Sequence, residues 1–244
     1  MWQDYKEVFY ENDKFLKTVE SMQDLENYEL HENCEIIGDS TFHGNEKLTT
    51  FVCPKNLQTI EIEAFVNCSH LKKVVFNEGL KRIEENAFGN CSSLSSIILP
   101  NSLEYIGPNA FVGGFDVIQI RIGENLKEIL SDVFYGDGRI NEIDLNKVEH
   151  IHAHAFGGYS IGTLKLPSTL KSIDKYAFCS DCEIDRIIFE GTKGMLERVE
   201  GGSQFYKKYS DKIKFNVPTL EEMIDKGFSL KEITTIYNDN KEER

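Results

Sequence analysis

The sequence predicts a β-rich solenoid of parallel, stacked short strands, closed by a hairpin at its N-terminal end and by helices at its C-terminal end. Three observations carry that expectation. Seven phenylalanines recur at steps of 22 or 23 residues: Phe42, Phe65, Phe88, Phe111, Phe134, Phe156 and Phe178. Five positions before each stands an isoleucine, from Ile37 and Ile60 through to Ile151 and Ile173. Between the phenylalanines runs an apolar-x-x-apolar-x-apolar triplet, first as Leu48, Phe51 and Cys53 and last as Ile184, Ile187 and Phe189. Self-similarity at a fixed short period marks a repeat array, in which each unit buries its apolar face only against its neighbours.

Each part of the unit has a physical role. The last two apolar positions of every triplet alternate, as expected for a short strand with one face turned inward. Counting back 23 residues from the first triplet lands on Leu25, Tyr28 and Leu30, giving eight triplets whose 24 inward positions are all apolar or cysteine. Parallel strands stack about 4.8 Å apart, so eight of them would extend roughly 38 Å. The period is too short for helical-hairpin repeats and fits the leucine-rich class, hence a single right-handed leucine-rich-repeat solenoid. The phenylalanines fill the space between coils, and the small or β-branched residue before each lets backbones approach. The coil around Phe156 is one residue short on both sides, with Gly157 and Gly158 after the phenylalanine; this reads as loop drift or as a kink that shapes a surface.

A solenoid exposes its core at both ends unless they are capped. Val8–Tyr10 and Phe15–Leu16 around a polar turn read as an N-terminal hairpin. Thr219-Leu-Glu-Glu222 and Ser229-Leu-Lys-Glu232 match capping boxes, predicting helices near 219–226 and 229–238, with a frayed tail from Asn238. Leu220, Met223 and Ile224, then Leu230, Ile233 and Ile236, form their apolar faces. The organisation expected is a cap over 1–24, an array over 25–199 and a C-terminal cap over 200–244.

Segments such as CSSLSSIILPNSLEYIGPNAF (Cys91–Phe111) and IGTLKLPSTLKSIDKYAF (Ile161–Phe178) resemble the BspA-type leucine-rich repeats of bacterial surface and host-interaction proteins. IIFEGTKGMLERV (Ile187–Val199) is similar to the way such arrays end. The resemblance implies binding, often to proteins, rather than catalysis, and makes a surface adhesin for host matrix or cells one reading.

Charge narrows the partners. The 244 residues carry 27 Lys and Arg against 41 Asp and Glu, a net of −14. Such a surface repels phosphate backbones, which argues against direct nucleic-acid binding and suits a basic protein partner. An acidic inhibitor occupying the basic groove of a nucleic-acid enzyme is a further reading. No stretch approaches the ~20 apolar residues of a membrane span. Met1–Lys14 has no basic and apolar signal pattern, so a cytoplasmic location is expected for the chain as given, and a cell-surface or secreted one if a leader preceded it.

Catalytic constellations are absent from the sequence, and no enzyme activity or cofactor is expected. Cys179 and Cys182 form a C-x-x-C with no second pair to complete a zinc site and read as structural, and most of the six cysteines read as buried free thiols. His150, His152 and His154 alternate around Ile151; on an extended segment they would share a side, a weak candidate perch for a metal. The outward row between the last two apolar positions reads Val52, Val75, Ile98, Arg121, Asp144 and Lys165, flanked by Lys73 and Gln119. Three consecutive apolar rungs followed by charge are the expected partner-binding surface. The acidic front, including Asp4, Glu7 and Glu11, is its rival.

Overall fold

In the computed structural model, the described residues are 15–16, 30, 34–113, 117–179, 182–225 and 227–242. The triplets form a row of parallel strands in two paired segments, Thr50–Val52 with Lys73–Val75, then Ser96–Ile98, Val117–Arg121, Gly138–Asp144, Tyr159–Leu166, Ile184–Phe189 and Ile213–Phe215. Partners stay in repeat register along it, for example Phe51 with Val74, Ile97 with Ile120 and Leu164 with Ile187. Inward side chains such as Phe51, Ile97, Ile120, Ile143 and Leu164 are buried.

The isoleucine row makes a second ladder, in two segments that break between Ile106 and Glu128, which the strand pattern alone did not predict. Its two-residue strands include Ile36–Ile37, Thr59–Ile60, Arg82–Ile83, Tyr105–Ile106, Glu128–Ile129, His150–Ile151 and Ser172–Ile173. Phe15–Leu16, expected in the N-terminal hairpin, pairs in parallel with Ile36–Ile37 as a rung of this ladder. An apolar pair one coil ahead of Ile37 meets the same need as every other rung, so parallel pairing extends to it. Val8–Tyr10, Leu25 and Tyr28 lie outside the described residues.

A turn bearing each phenylalanine closes the coil. The phenylalanine N–H donates to the carbonyl of the small residue in the next coil, as Phe42 does to Ala64 and Phe88 to Ala110, both at 2.7 Å. Seven rings from Phe42 to Phe178 stack in a column, with centroids 4.8–5.5 Å apart. In most coils the residues two before and two after the ring take positive-φ backbone, among them Asn86 (φ 56°) and Asn90 (φ 59°) around Phe88. Asparagine tolerates that region best among residues with a Cβ, which explains its recurrence here.

The short coil has a structural outcome. Losing a residue on either side of Phe156 removes the bend before the strand, and the neighbouring strands lengthen to seven and eight residues. Gly158 (φ 89°) is needed there, because a Cβ would fall 1.9 Å from the Gly136 carbonyl oxygen. Tyr159 is drawn inside and its hydroxyl donates to the Gly113 carbonyl.

Beyond Phe189 the coil changes character. Helices α1 (Lys193–Arg198) and α2 (Gly202–Tyr209) precede the last rung, Ile213–Phe215, which pairs with Ile187–Phe189. This rung lies past residue 199, in the stretch read from the sequence as C-terminal cap. Phe205 of α2 meets Phe178 at 5.8 Å, tilted by 53°, and closes the aromatic column. Helices α3 (Leu220–Asp225) and α4 (Leu230–Glu242) follow. Both capping boxes form: Thr219 N–H donates to Glu222 and Glu222 N–H returns to Thr219, and Ser229 and Glu232 do the same.

Two expectations fail at this end. The tail is helical through Glu242, because Asp239 accepts from Arg198 and from the buried Thr192, which itself caps α1. The apolar faces of α3 and α4 are only partly covered. Met223 and Ile236 are buried, whereas Leu220, Ile224 and Leu230 are exposed.

Candidate functional site

The strand ladder turns alternate side chains outward, so the functional surface is built by register. Val52 stands opposite Val75 in neighbouring rungs. Ile98 opens the next ladder segment, where it pairs with Arg121, and the row continues through Asp144 and Lys165 to Ile188. Val52 is 58% exposed, Val75 40% and Ile98 44%, while their strand neighbours Phe51 and Ile97 are buried. The outward side chains of Val52 and Ile98 are thus each flanked by a buried one, and Val75 by the half-buried Val74. Ile118, 64% exposed at the start of the next strand, enlarges this apolar stretch. The triplet template hides Ile118, since it falls at the corner between the first two apolar positions.

Much of the charged half of the same face is already paired, Arg121 aside. Lys165 reaches Glu142 at 2.8 Å and lies 3.9 Å from Asp144. Gln119 donates to Glu142, and Arg186 donates to Thr163. Lys165 holds the Glu142 carboxyl below its ordinary range through that hydrogen bond. Arg139 reaches across two coils to Asp185 at 2.7 Å. Lys73, beside Val75, is exposed and in no ion pair among the described residues. A self-satisfied polar stretch therefore adjoins an apolar stretch that water must cover.

A profile of the BspA type Leucine rich repeat region, six copies long, matches residues 17–141 and again 127–242. The chain belongs to the BspA-type leucine-rich repeat family. Among solved structures it is similar to a leucine-rich repeat protein from Bacteroides ovatus, with 27% identity and a TM-score of 0.51 over 65% of this chain and 43% of that one. It is also similar to the pneumococcal vaccine antigen PcpA, with 20% identity and a TM-score of 0.52 over 85% of this chain and 45% of that one. The chain thus spans less than half the length of either. No curated protein matches it.

Within this BspA-type frame the histidine trio disperses. The extended segment ends at Ile151, and His154 sits in a turn with φ 57°, so alternation does not carry through all three. His150 Nδ1 contacts the Ser172 hydroxyl at 2.7 Å, His152 Nε2 the Glu128 carboxylate at 3.2 Å, and His154 Nδ1 the Cys179 sulfur at 3.4 Å. Among the described residues, no group of three or more His, Cys, Asp and Glu side chains is placed to hold a metal ion. Nor is any described helix long and apolar enough to cross a membrane.

Most of the cysteines are buried, as the repeat suggested. Five are buried, and Cys179 is partly exposed. Cys68, Cys91 and Cys182 each donate to the phenylalanine carbonyl 26 residues earlier: Phe42, Phe65 and Phe156. Cys182 is therefore the repeat's structural cysteine, and Cys179 stands outside that pattern. A cavity of about 470 Å³ between the last coils and α4 is lined by Leu170, Phe189, Met195, Val199, Phe228 and Ile236. Its polar lining is already engaged, Arg198 with Asp239 and Glu232 with Ser229. Asp4, Glu7 and Glu11 of the acidic front lie outside the described residues.

Proposed function

We propose that this chain is a non-catalytic scaffold that binds a protein partner through the outward face of its early rungs. The single observation that carries the reading is the contrast on one face: Val52, Val75, Ile98 and Ile118 stay exposed while Glu142, Lys165 and their neighbours neutralise one another. An apolar centre rimmed by polar groups is the anatomy of a protein interface. Lys73, Gln119, Arg121, Asp144 and Lys165 form that rim. Aliphatic side chains on a rigid ladder lose little entropy on contact, which favours affinity. The net charge of −14 favours a basic partner and a faster encounter with it.

The test begins with affinity purification and mass spectrometry to identify what the wild-type chain captures. Val75→Asp with Ile98→Asp should then abolish capture while the melting transition stays in place. Unchanged capture by a folded double variant would remove the ridge as the site. If capture instead disappears when Asp4, Glu7 and Glu11 are reversed to Lys, the acidic front holds the site. Rising salt should weaken capture of a basic partner, within the reach of screening. Retention of the partner on intact cells or matrix is the result that would specify an adhesin.

A further inference from the structure

The last rung, Ile213–Phe215, is an open edge. It lies at one margin of the six-stranded sheet and pairs with Ile184–Phe189 on one side only. Ile187 N–H donates to the Lys212 carbonyl at 2.9 Å, and Asn216 N–H donates to the Phe189 carbonyl at 2.8 Å. In a parallel ladder the residues between these turn their N–H and C=O groups the other way. Those residues are Ile213 and Phe215, and among the described residues neither makes a backbone hydrogen bond on that side. A row of unpaired donors and acceptors is a template for another strand.

The core is also unfinished here. Ile187 and Phe189 are buried, whereas Ile213 and Phe215, which continue the same inward rows, are half-buried. Leu220 and Ile224 of α3, the next element, are exposed. At the front of the array Leu30, the described member of the first triplet, is half-buried too. Two ends cut from one repeat have matching shapes, because every rung is made to lie on the next.

Charge separates the two ends. Residues 203–216 carry four Lys against one Asp, in a chain whose net charge is −14. Lys207 and Lys214 are exposed, Lys212 is half-buried, and none of the three is in an ion pair among the described residues. Residues 1–33 carry nine Asp or Glu against three Lys. Register sharpens the contrast. Lys214 pairs with Ile188 and so ends the outward row, whose repeat position in the first triplet is Glu29.

The geometry points to a second copy of this chain as the occupant of the open edge, joined head to tail by its acidic front. The incoming copy lies parallel to Ile213–Phe215 at the ~4.8 Å spacing of the internal rungs. By repeat register its Leu30 meets Phe215 and its Glu29 meets Lys214. Opposite charges directly across a strand pair favour this arrangement, whereas two fronts or two backs would set like charges together. The contact joins different surfaces of the two copies, so each added chain leaves the same edge open and assembly does not close.

Sedimentation velocity on the full chain across a concentration series tests this without any other protein. The average mass should climb past that of a dimer as concentration rises, and added salt should reverse the climb, because the pairing charges are exposed. Lys212→Glu with Lys214→Glu should weaken association by ~10-fold or more while melting stays in place, and Glu29→Lys combined with Lys214→Glu should restore it. A wild-type chain that stays monomeric at every concentration overturns the proposal, a result that rests on no variant. So does a species that stops at a dimer, ignores salt, or is not restored by the folded charge swap. Lysines on an edge can also keep other strands away. If Lys212→Glu with Lys214→Glu assembles more readily than wild type, that is their role here and the edge takes no second copy. If Val75→Asp with Ile98→Asp abolishes association instead, the second copy sits on the ridge and not on the edge.

Discussion

The two halves of the strand ladder share one backbone plan and present opposite chemistry. Between Val52 and Ile98 the strands are three residues long and put uncommitted aliphatic side chains outward. Between Arg121 and Arg186 the strands are five to eight residues long, and polar outward groups bond to one another across coils. A repeat therefore separates what builds the coil from what the coil displays. The inward row is uniform because every rung shares one core, while the outward row is free to vary.

The largest effect expected is on the shared core. Phe111→Ala, in the middle of the column, should lower stability by about 3–5 kcal/mol, because it removes a fully buried ring and leaves a cavity. Chemical denaturation measures this, and a loss below 1 kcal/mol would mean that the two halves are not joined through the column. Asp239→Ala should cost about 1–3 kcal/mol by leaving Arg198 and the buried Thr192 without their acceptor. Arg198 and Thr192 hold the Asp239 carboxyl below its ordinary value of 3.8. A depressed carboxylate stabilises fully above that value, and its contribution is lost as pH falls through the depressed one. The α4 contact should thus loosen only in acid, which helix content against pH would reveal, and Asp239→Ala should flatten that loss.

Smaller effects separate the two outward faces. Val75→Asp with Ile98→Asp should weaken partner capture at least tenfold, about 1.4 kcal/mol, with a stability change near 0.5 kcal/mol per site. Lys165→Met should change stability by less than about 1 kcal/mol, because its ion pair with Glu142 is half exposed. Capture should be unaffected. If Lys165→Met matters to capture and the valine–isoleucine change does not, the assignment of the two halves is reversed.

What was legible in the sequence was whatever repeats. The Phe column, the inward triplets and the outward row follow from spacing, because one residue type is demanded wherever identical coils meet. The α3 and α4 starts follow from capping boxes, which are local. The second ladder was harder to see, since its two-residue strands hold one inward side chain each and show no alternation. Helices α1 and α2 were missed because nothing upstream repeats them, and Ser210 stands where the last triplet would need its first apolar residue. The helical tail depends on Asp239 meeting Arg198 across 41 residues, a contact without local signature. The Cys179–His154 pair was invisible for a similar reason. Cys182 stands four residues after Phe178 where Cys91 stands three after Phe88, yet it takes the structural position, and only the stacking of coils shows which cysteine is left over.

The aromatic column carries a consequence for length. Within the column each ring stacks on the ring above and the ring below, and phenylalanine N–H groups such as those of Phe65 and Phe88 donate to the next coil. Nothing in a middle coil registers how many others exist. Duplicating a whole unit, such as residues 66–88, should yield a taller protein with the same ends and an early face one rung longer. The fold is thus a ruler whose graduations evolution, or an engineer, can add or remove without redesigning what is mounted on it.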